Sequence, residues 1–169
     1  VVHARTDGLD VFSVHLTPAL HDGVWRERQV REGDEFVRQH RAPQGRLPAV
    51  VAGDFNAAPD SAEIRYLTGR QSLEGTSTYY QDSWAVAGDG TPGWTWDGSN
   101  PFAARLHLHP QRVDYVFVGD HFPFNAPNAP GAAPGSGTGR VVACEVIGRP
   151  PITGTAASDH WGLLAGIAL

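Results

Sequence analysis

The chain has 169 residues, 41% of them apolar and 18% charged, with a formal net charge of −5. That length and composition suit one globular domain with a real core, and no stretch approaches the ~18 consecutive apolar residues that a membrane-spanning helix needs. The acidic balance argues against a protein that coats nucleic acid by charge alone, because counterion release requires a basic face.

All thirteen Lys-or-Arg positions are Arg, and neither Lys nor Met occurs, a bias expected of a GC-rich bacterial coding sequence. The opening Val1-Val2-His3-Ala4-Arg5 lacks the charged-then-apolar order of a signal peptide. A soluble protein is expected, cytoplasmic or secreted after processing, with no stable membrane insertion. Without an initiator Met, the chain reads as a fragment or a processed product.

Residues 9–16, Leu-Asp-Val-Phe-Ser-Val-His-Leu, alternate and then run apolar, which predicts a strand buried on at least one face and closing at His15. Residues 24–40 are rich in Arg, Glu and Gln, with Val30, Phe36 and Val37 at helical spacing, so an amphipathic helix follows. Gly33 weakens it by about 1 kcal/mol relative to Ala. Pro43, Gln44 and Gly45 punctuate, and residues 47–52 form the continuous apolar run of a central strand. Strand, helix and strand together predict a βαβ unit.

Beyond the Gly53-Asp54-Phe55-Asn56 turn, Asp60 and Glu63 have the spacing of a capping box that opens a short helix to Leu67, stopped by Gly69. Turn residues dominate 88–98, interrupted by Trp94 and Trp96, and strand character resumes at Leu106, Leu108 and residues 113–118. Residues 121–139 are rich in Pro, Gly and Ala and predict a flexible surface loop. Two further strands are expected over 141–147 and 161–169. The lone Cys144 excludes an internal disulfide and sits among Val141, Val142 and Val146. A buried strand thiol is expected there, since no basic neighbour is adjacent to activate it.

Four polar motifs stand at the ends of these apolar runs: Val14-His15-Leu16, Gly53-Asp54-Phe55-Asn56, Arg112-Val113-Asp114-Tyr115 and Ser158-Asp159-His160. Each is where a buried strand delivers polar side chains to one rim of a sheet. Asp54 and Asn56, two residues apart, project from one side of an extended segment. The carboxylate can accept a proton from an attacking water while the amide donates to a phosphate oxygen without adding negative charge. Read structurally, the same four residues are a strand-ending turn. Asp114 starts a buried strand and needs a partner, because an unpaired buried carboxylate is costly; Arg112 is one choice. Asp159 and His160 are adjacent and can meet one group only if the backbone bends. His107 and His109 have spacing that could serve one metal ion, without an evident third ligand.

In this order the four motifs resemble the second half of the endonuclease/exonuclease/phosphatase family, the metal-dependent phosphoesterases that include DNase I-like nucleases, inositol phosphatases and neutral sphingomyelinases. The resemblance runs from about Leu9 to the C-terminus. It implies an α/β fold, a DNase I-like sandwich of two sheets with outer helices, of which residues 1–169 form a single, N-terminally incomplete domain. It also implies Mg²⁺- or Mn²⁺-dependent hydrolysis of a phosphodiester or phosphomonoester by a nuclease, a sphingomyelinase-like enzyme or a small-molecule phosphatase. Asp54, His15, Asn56, Asp114 and His160 would be the catalytic set: Asp54 deprotonates water, Asn56, His15 and His160 hold phosphate oxygens, and Asp114 orients His160. Asp159 would bind metal with Asp54 and Asn56.

Arg28 and Gln29 match the helix after the family's His strand, and Asp82 before Ser83-Trp84 matches a structural segment. Residues 92–97 with Asn100-Pro101 resemble a substrate-side loop, in which Trp94, Thr95 and Asn100 would bind substrate. Its aromatics could stack on a base, cover a lipid headgroup or anchor the loop. The family's opening strands, which supply an Asn and a metal-binding Glu, have no counterpart, so a missing N-terminal half is an expected partner alongside a small, lipid-linked or nucleic-acid phosphoester. The competing expectation is a non-catalytic, truncated module that binds a phosphorylated ligand or another protein.

Overall fold

A computed structural model describes residues 1–42, 47–104, 109–119, 139–149 and 156–168. The chain opens with an antiparallel hairpin of β1 (Val2–Thr6) and β2 (Leu9–His15). It turns at Asp7 and Gly8, whose positive φ values of 47° and 83° suit an Asp-Gly pair in a two-residue hairpin loop. β1 escaped the sequence reading because it is an edge strand with most of its side chains exposed, so it carries no apolar alternation.

Helix α1 (Gly23–His40) then crosses over to β3 (Val50–Asp54), which lies parallel to β2. This is the expected βαβ unit, with β3 a few residues later than the apolar run suggested. Positions 26, 30, 34 and 37 of α1 form the buried stripe, and two of them are the charged residues Arg26 and Asp34. Burying such groups is tolerable only when they are paired. The Asp34 carboxylate accepts hydrogen bonds from Tyr66, Thr78 and Tyr80 hydroxyls and pairs with Arg38. Arg26 pairs with Glu63 at 2.8 Å.

That pairing corrects the expected capping box. Helix α2 (Ala62–Leu67) starts from Ser61, not Asp60, and has no side-chain cap: the Ser61 hydroxyl donates to the Ala58 carbonyl, and Glu63 turns inward to Arg26. Next come β4 (Tyr80–Asp82) and the short α3 (Ser83–Ala87), capped by the Asp82 carboxylate, which accepts the N–H groups of Trp84 and Ala85. β5 (Asp114–Gly119) runs antiparallel to both β3 and β4, completing a mixed sheet in the order β1-β2-β3-β5-β4.

Phe12, Val14, Val51, Phe55, Ile64, Tyr66, Tyr115 and Phe117 lie in the core between this sheet and α1 and α2. Each large apolar side chain so buried contributes roughly 1.5–3 kcal/mol. A second, two-stranded sheet joins β6 (Val141–Ile147) to β7 (Gly162–Ile167) in antiparallel register. β7 contacts β5 and α3 contacts β6, while the Gln81 side chain stitches the sheets through Gly139 O and Val141 N. The result is the expected α/β arrangement of two sheets with helices. Cys144 is buried in β6, and burial pushes its thiol pKa up.

Among the described residues, no helix is long and apolar enough to cross a membrane. The punctuation at Pro43 to Gly45, the strand character of Leu106 and Leu108, His107 of the two-histidine spacing, and nearly all of the 121–139 loop lie outside the described residues.

Candidate active site

Parallel β2 and β3 finish side by side, and antiparallel β5 begins at the same rim. His15 is therefore the register partner of Asp54, and Asp54 the partner of Asp114. Gly53 makes this approach possible: its φ is +143°, and a Cβ there would lie 1.9 Å from the Val14 carbonyl oxygen. No other residue fits.

Asn56 takes a positive φ of 47°, a conformation that Asn tolerates. Its backbone N–H donates to Asp54 Oδ1 at 2.8 Å, and its side-chain amide donates to Asp54 Oδ2 at 3.2 Å and to Leu16 O at 2.9 Å. The turn that a structural reading anticipates is thus real, and it is also what aims the Asp54 carboxylate. His15, largely exposed, brings Nε2 to 3.5 Å from Asp54 Oδ2.

His160 reaches the same place from the other sheet. The chain bends through residues 157–160 ahead of β7, with the Ser158 hydroxyl accepting the His160 N–H at 3.1 Å. His160 Nδ1 lies 2.8 Å from Asp114 Oδ2, and since an ionised carboxylate only accepts, Nδ1 carries the proton. Arg112 is not Asp114's partner. It makes a buried two-pronged bond to Asp82 at 2.9 and 2.8 Å. Asp159 is exposed and receives the Ser158 hydroxyl at 3.3 Å.

One ligand atom each from Asp54, Asp114 and His160 lie within 4.8 Å of one another. Burial raises the Asp54 pKa, and the facing Asp114 charge adds to it against the Asn56 hydrogen bond. The hydrogen bond to Asp114 raises that of His160, outweighing the effect of burial.

Of the three residues expected to bind substrate, Trp94 is 41% exposed, whereas Thr95 and Asn100 are fully buried and bonded to neighbouring backbone. Direct substrate contact by those two requires solvent access that they lack. The His15 loop is held by Gln29, which the sequence offered only as a match to the family's helix, and by Arg26, which sequence reading missed. Gln29 Oε1 accepts the Thr17 N–H at 3.0 Å, and Arg26, steadied by Glu63, donates to the Ala19 carbonyl at 2.7 Å. A signal for Arg26 existed: a charge placed on the apolar stripe of a helix must have a buried partner.

The donor set suits a hard divalent cation. Two carboxylates of partly buried residues face each other, one of them with its ionised form disfavoured, which is the electrostatic situation a cation relieves. Among the described residues, the side chains close enough to share such an ion are Asp54, Asp114 and His160, and the exposed Asp159 is not one of that group.

The model of the Endonuclease/Exonuclease/phosphatase family matches residues 1–160, beginning ahead of the Leu9 at which the motifs start. No curated protein sequence matches the chain significantly. Among solved structures, TDP2 from D. rerio in complex with a single-strand DNA product is similar with a TM-score of 0.63 and 23% identity, over 92% of this chain and 54% of that one. Truncated TDP2 from Caenorhabditis elegans gives a TM-score of 0.61 and 19% identity, over 93% and 53%. A beta toxin from Staphylococcus aureus gives 0.61 and 20%, over 98% and 55%. At these identities the likeness shows the fold, and the chain spans about half the length of these proteins.

Proposed function

Because the chain belongs to the endonuclease/exonuclease/phosphatase family, we propose that it carries the catalytic rim of a phosphoesterase that hydrolyses a phosphodiester or phosphomonoester with the help of Mg²⁺ or Mn²⁺. The observation that carries this reading is the convergence of Asp54, Asp114 and His160 from three separate segments within 4.8 Å.

A bound divalent ion supplies charge stabilisation at the phosphoryl oxygen and the leaving group; Asp54, Asn56 and Asp159 are the residues proposed to hold it. The chain's own side chains do the remaining work. Asp54, held by Asn56, accepts the proton of the attacking water, and its raised pKa makes it a better base than an exposed carboxylate. Asp114 fixes the His160 ring through Nδ1, which leaves Nε2 to donate to a phosphoryl oxygen as charge develops there. His15 and the Asn56 amide are proposed as the other phosphate donors. An upstream segment contributing an Asn and a Glu would complete the ligand set, since one exposed Asp159 beside Asp54 is a sparse site for Mg²⁺.

The exposed Trp94 supports a substrate with a flat or apolar group, and the acidic balance favours a small or lipid-linked phosphoester over long duplex nucleic acid. The test is hydrolysis of a chromogenic phosphodiester and phosphomonoester by this chain, alone and with an added segment that supplies an Asn and a Glu, with Mg²⁺, with Mn²⁺ and with EDTA. Metal-dependent turnover is expected. Activity that survives exhaustive chelation overturns the metal role, and no turnover in any form overturns the enzyme. Parallel assays of plasmid nicking and phosphocholine release assign the substrate class.

A further inference from the structure

Thr95 is fully buried, yet its polar atoms are all committed to the two segments that meet at the site. Its hydroxyl oxygen accepts the backbone N–H groups of Val113 and Asp114, at 3.1 and 3.2 Å. Its own N–H donates to Gln111 O at 3.0 Å, and its carbonyl accepts the N–H of Trp161 at 2.6 Å. The hydroxyl therefore holds β5 where Asp114 begins it, and the carbonyl holds the residue that follows His160.

Five residues on, Asn100 adds a second point of attachment. Its side-chain amide donates to Ser158 O at 2.8 Å, while its oxygen accepts the Phe102 N–H at 3.0 Å. Between them the Asp97 carboxylate accepts the Trp161 indole N–H at 3.2 Å. Asp114 and His160 are 46 residues apart and belong to segments of different sheets. Their 2.8 Å contact survives only if both backbones are held, because hydrogen bonds weaken steeply as distance and angle drift.

We infer that residues 95–100 are a clasp and that Thr95 and Asn100 are positioning residues: they hold the Asp114–His160 pair in register without touching substrate. The inference rests on the proposed catalytic role of that pair. Thr95 is the sharper case. Valine has nearly the same shape but cannot accept a hydrogen bond, so it strands two buried N–H groups; serine keeps the acceptor.

The test is the far-downfield proton resonance of the His160 Nδ1–H, read by NMR on the metal-free chain and assigned by its loss in His160→Asn. Thr95→Val and Asn100→Ala should broaden or abolish it, and Thr95→Ser should retain it. Ile64→Val, a core change in α2, should lower the thermal midpoint and leave the resonance in place. A normal resonance in folded Thr95→Val or Asn100→Ala overturns the positioning role while leaving the proposed function intact. If Thr95→Val does not fold, Asn100→Ala decides; if neither folds, the clasp is purely structural and the inference fails. A wild-type chain without the resonance removes the pair itself, which counts against the proposed function.

Discussion

Asp54 and Asp114 stand directly opposite one another on adjacent antiparallel strands, so two carboxylates share one rim of the sheet. Like charges directly across a ladder are destabilising, and here they coexist because each has its own partner: the Asn56 amide groups on one side and the His160 ring on the other. This division of partners assigns separate tasks to the two carboxylates, and the consequences can be measured.

In a form of the protein with metal-dependent turnover, Asp54→Asn and His160→Ala should each lower kcat by at least about two orders of magnitude, the scale of positioned acid–base and oxyanion groups. Cys144→Ala should leave kcat nearly intact, since the thiol is buried with its pKa pushed up. A damaging Cys change beside a mild His change would overturn the assignment.

Asp114→Asn removes the main cause of the raised His160 pKa. The pair's stabilisation is complete below the ordinary imidazole value and is lost as pH rises through the raised one. In the variant, the imidazolium should disappear at lower pH and the alkaline limb of the rate profile should move the same way. NMR titration of His160 and the pH–rate profile check this, and an unmoved limb counts against His160 as the donor.

Gly53→Ala should be among the most damaging single-methyl additions in the chain. The new Cβ would meet the Val14 backbone oxygen at 1.9 Å, and backbone cannot move aside as a flexible side chain can. A loss of roughly 1–3 kcal/mol or more is expected from overpacking, with β2 and β3 pushed apart where His15 and Asp54 align. Urea unfolding measures the loss, and a neutral result would show that the approach of the strands is looser.

Asp82→Ala should cost about 3–5 kcal/mol, because it leaves the buried Arg112 unpaired and removes the cap of α3. A urea midpoint close to wild type would contradict that role.

Asp10 supplies an acid-sensitive tie between the first hairpin and the end of α1. Burial alone would raise its pKa, but hydrogen bonds from Arg5, the Ala42 N–H and His3 outweigh burial and lower it to about 2. Its stabilisation is therefore full above the ordinary carboxylate value and is lost as pH falls toward the lowered one. Asp10→Asn should be less stable than wild type at neutral pH, and the gap between their urea midpoints should close at strongly acid pH.

The core strands were legible because burial writes itself as pattern: the alternation of residues 9–15 and the apolar run before Asp54 are visible without a fold. The order of the four polar motifs carried the family for the same reason, since each motif sits where a strand must end. β1 left no such trace because its side chains face solvent, and the capping box misled because the pattern of Asp60 and Glu63 is local whereas the Arg26 that claims Glu63 lies 37 residues away.

Which polar groups pair with which was decided only in three dimensions. From the motif alone, Arg112 and His160 are both reasonable partners for Asp114, and the choice turns on Asp82, which ends the neighbouring strand β4 and takes both terminal nitrogens of Arg112. Thr95 and Asn100 read as substrate-facing in an aromatic turn, yet folding buries them as hydrogen-bonding partners of the strand and bend that bear Asp114 and His160. Residue type and spacing specify which side chains can donate, accept or carry charge. Long-range backbone register specifies which of them meet, because a hydrogen bond is settled by a few tenths of an ångström and such distances between remote segments exist only once the sheets have packed.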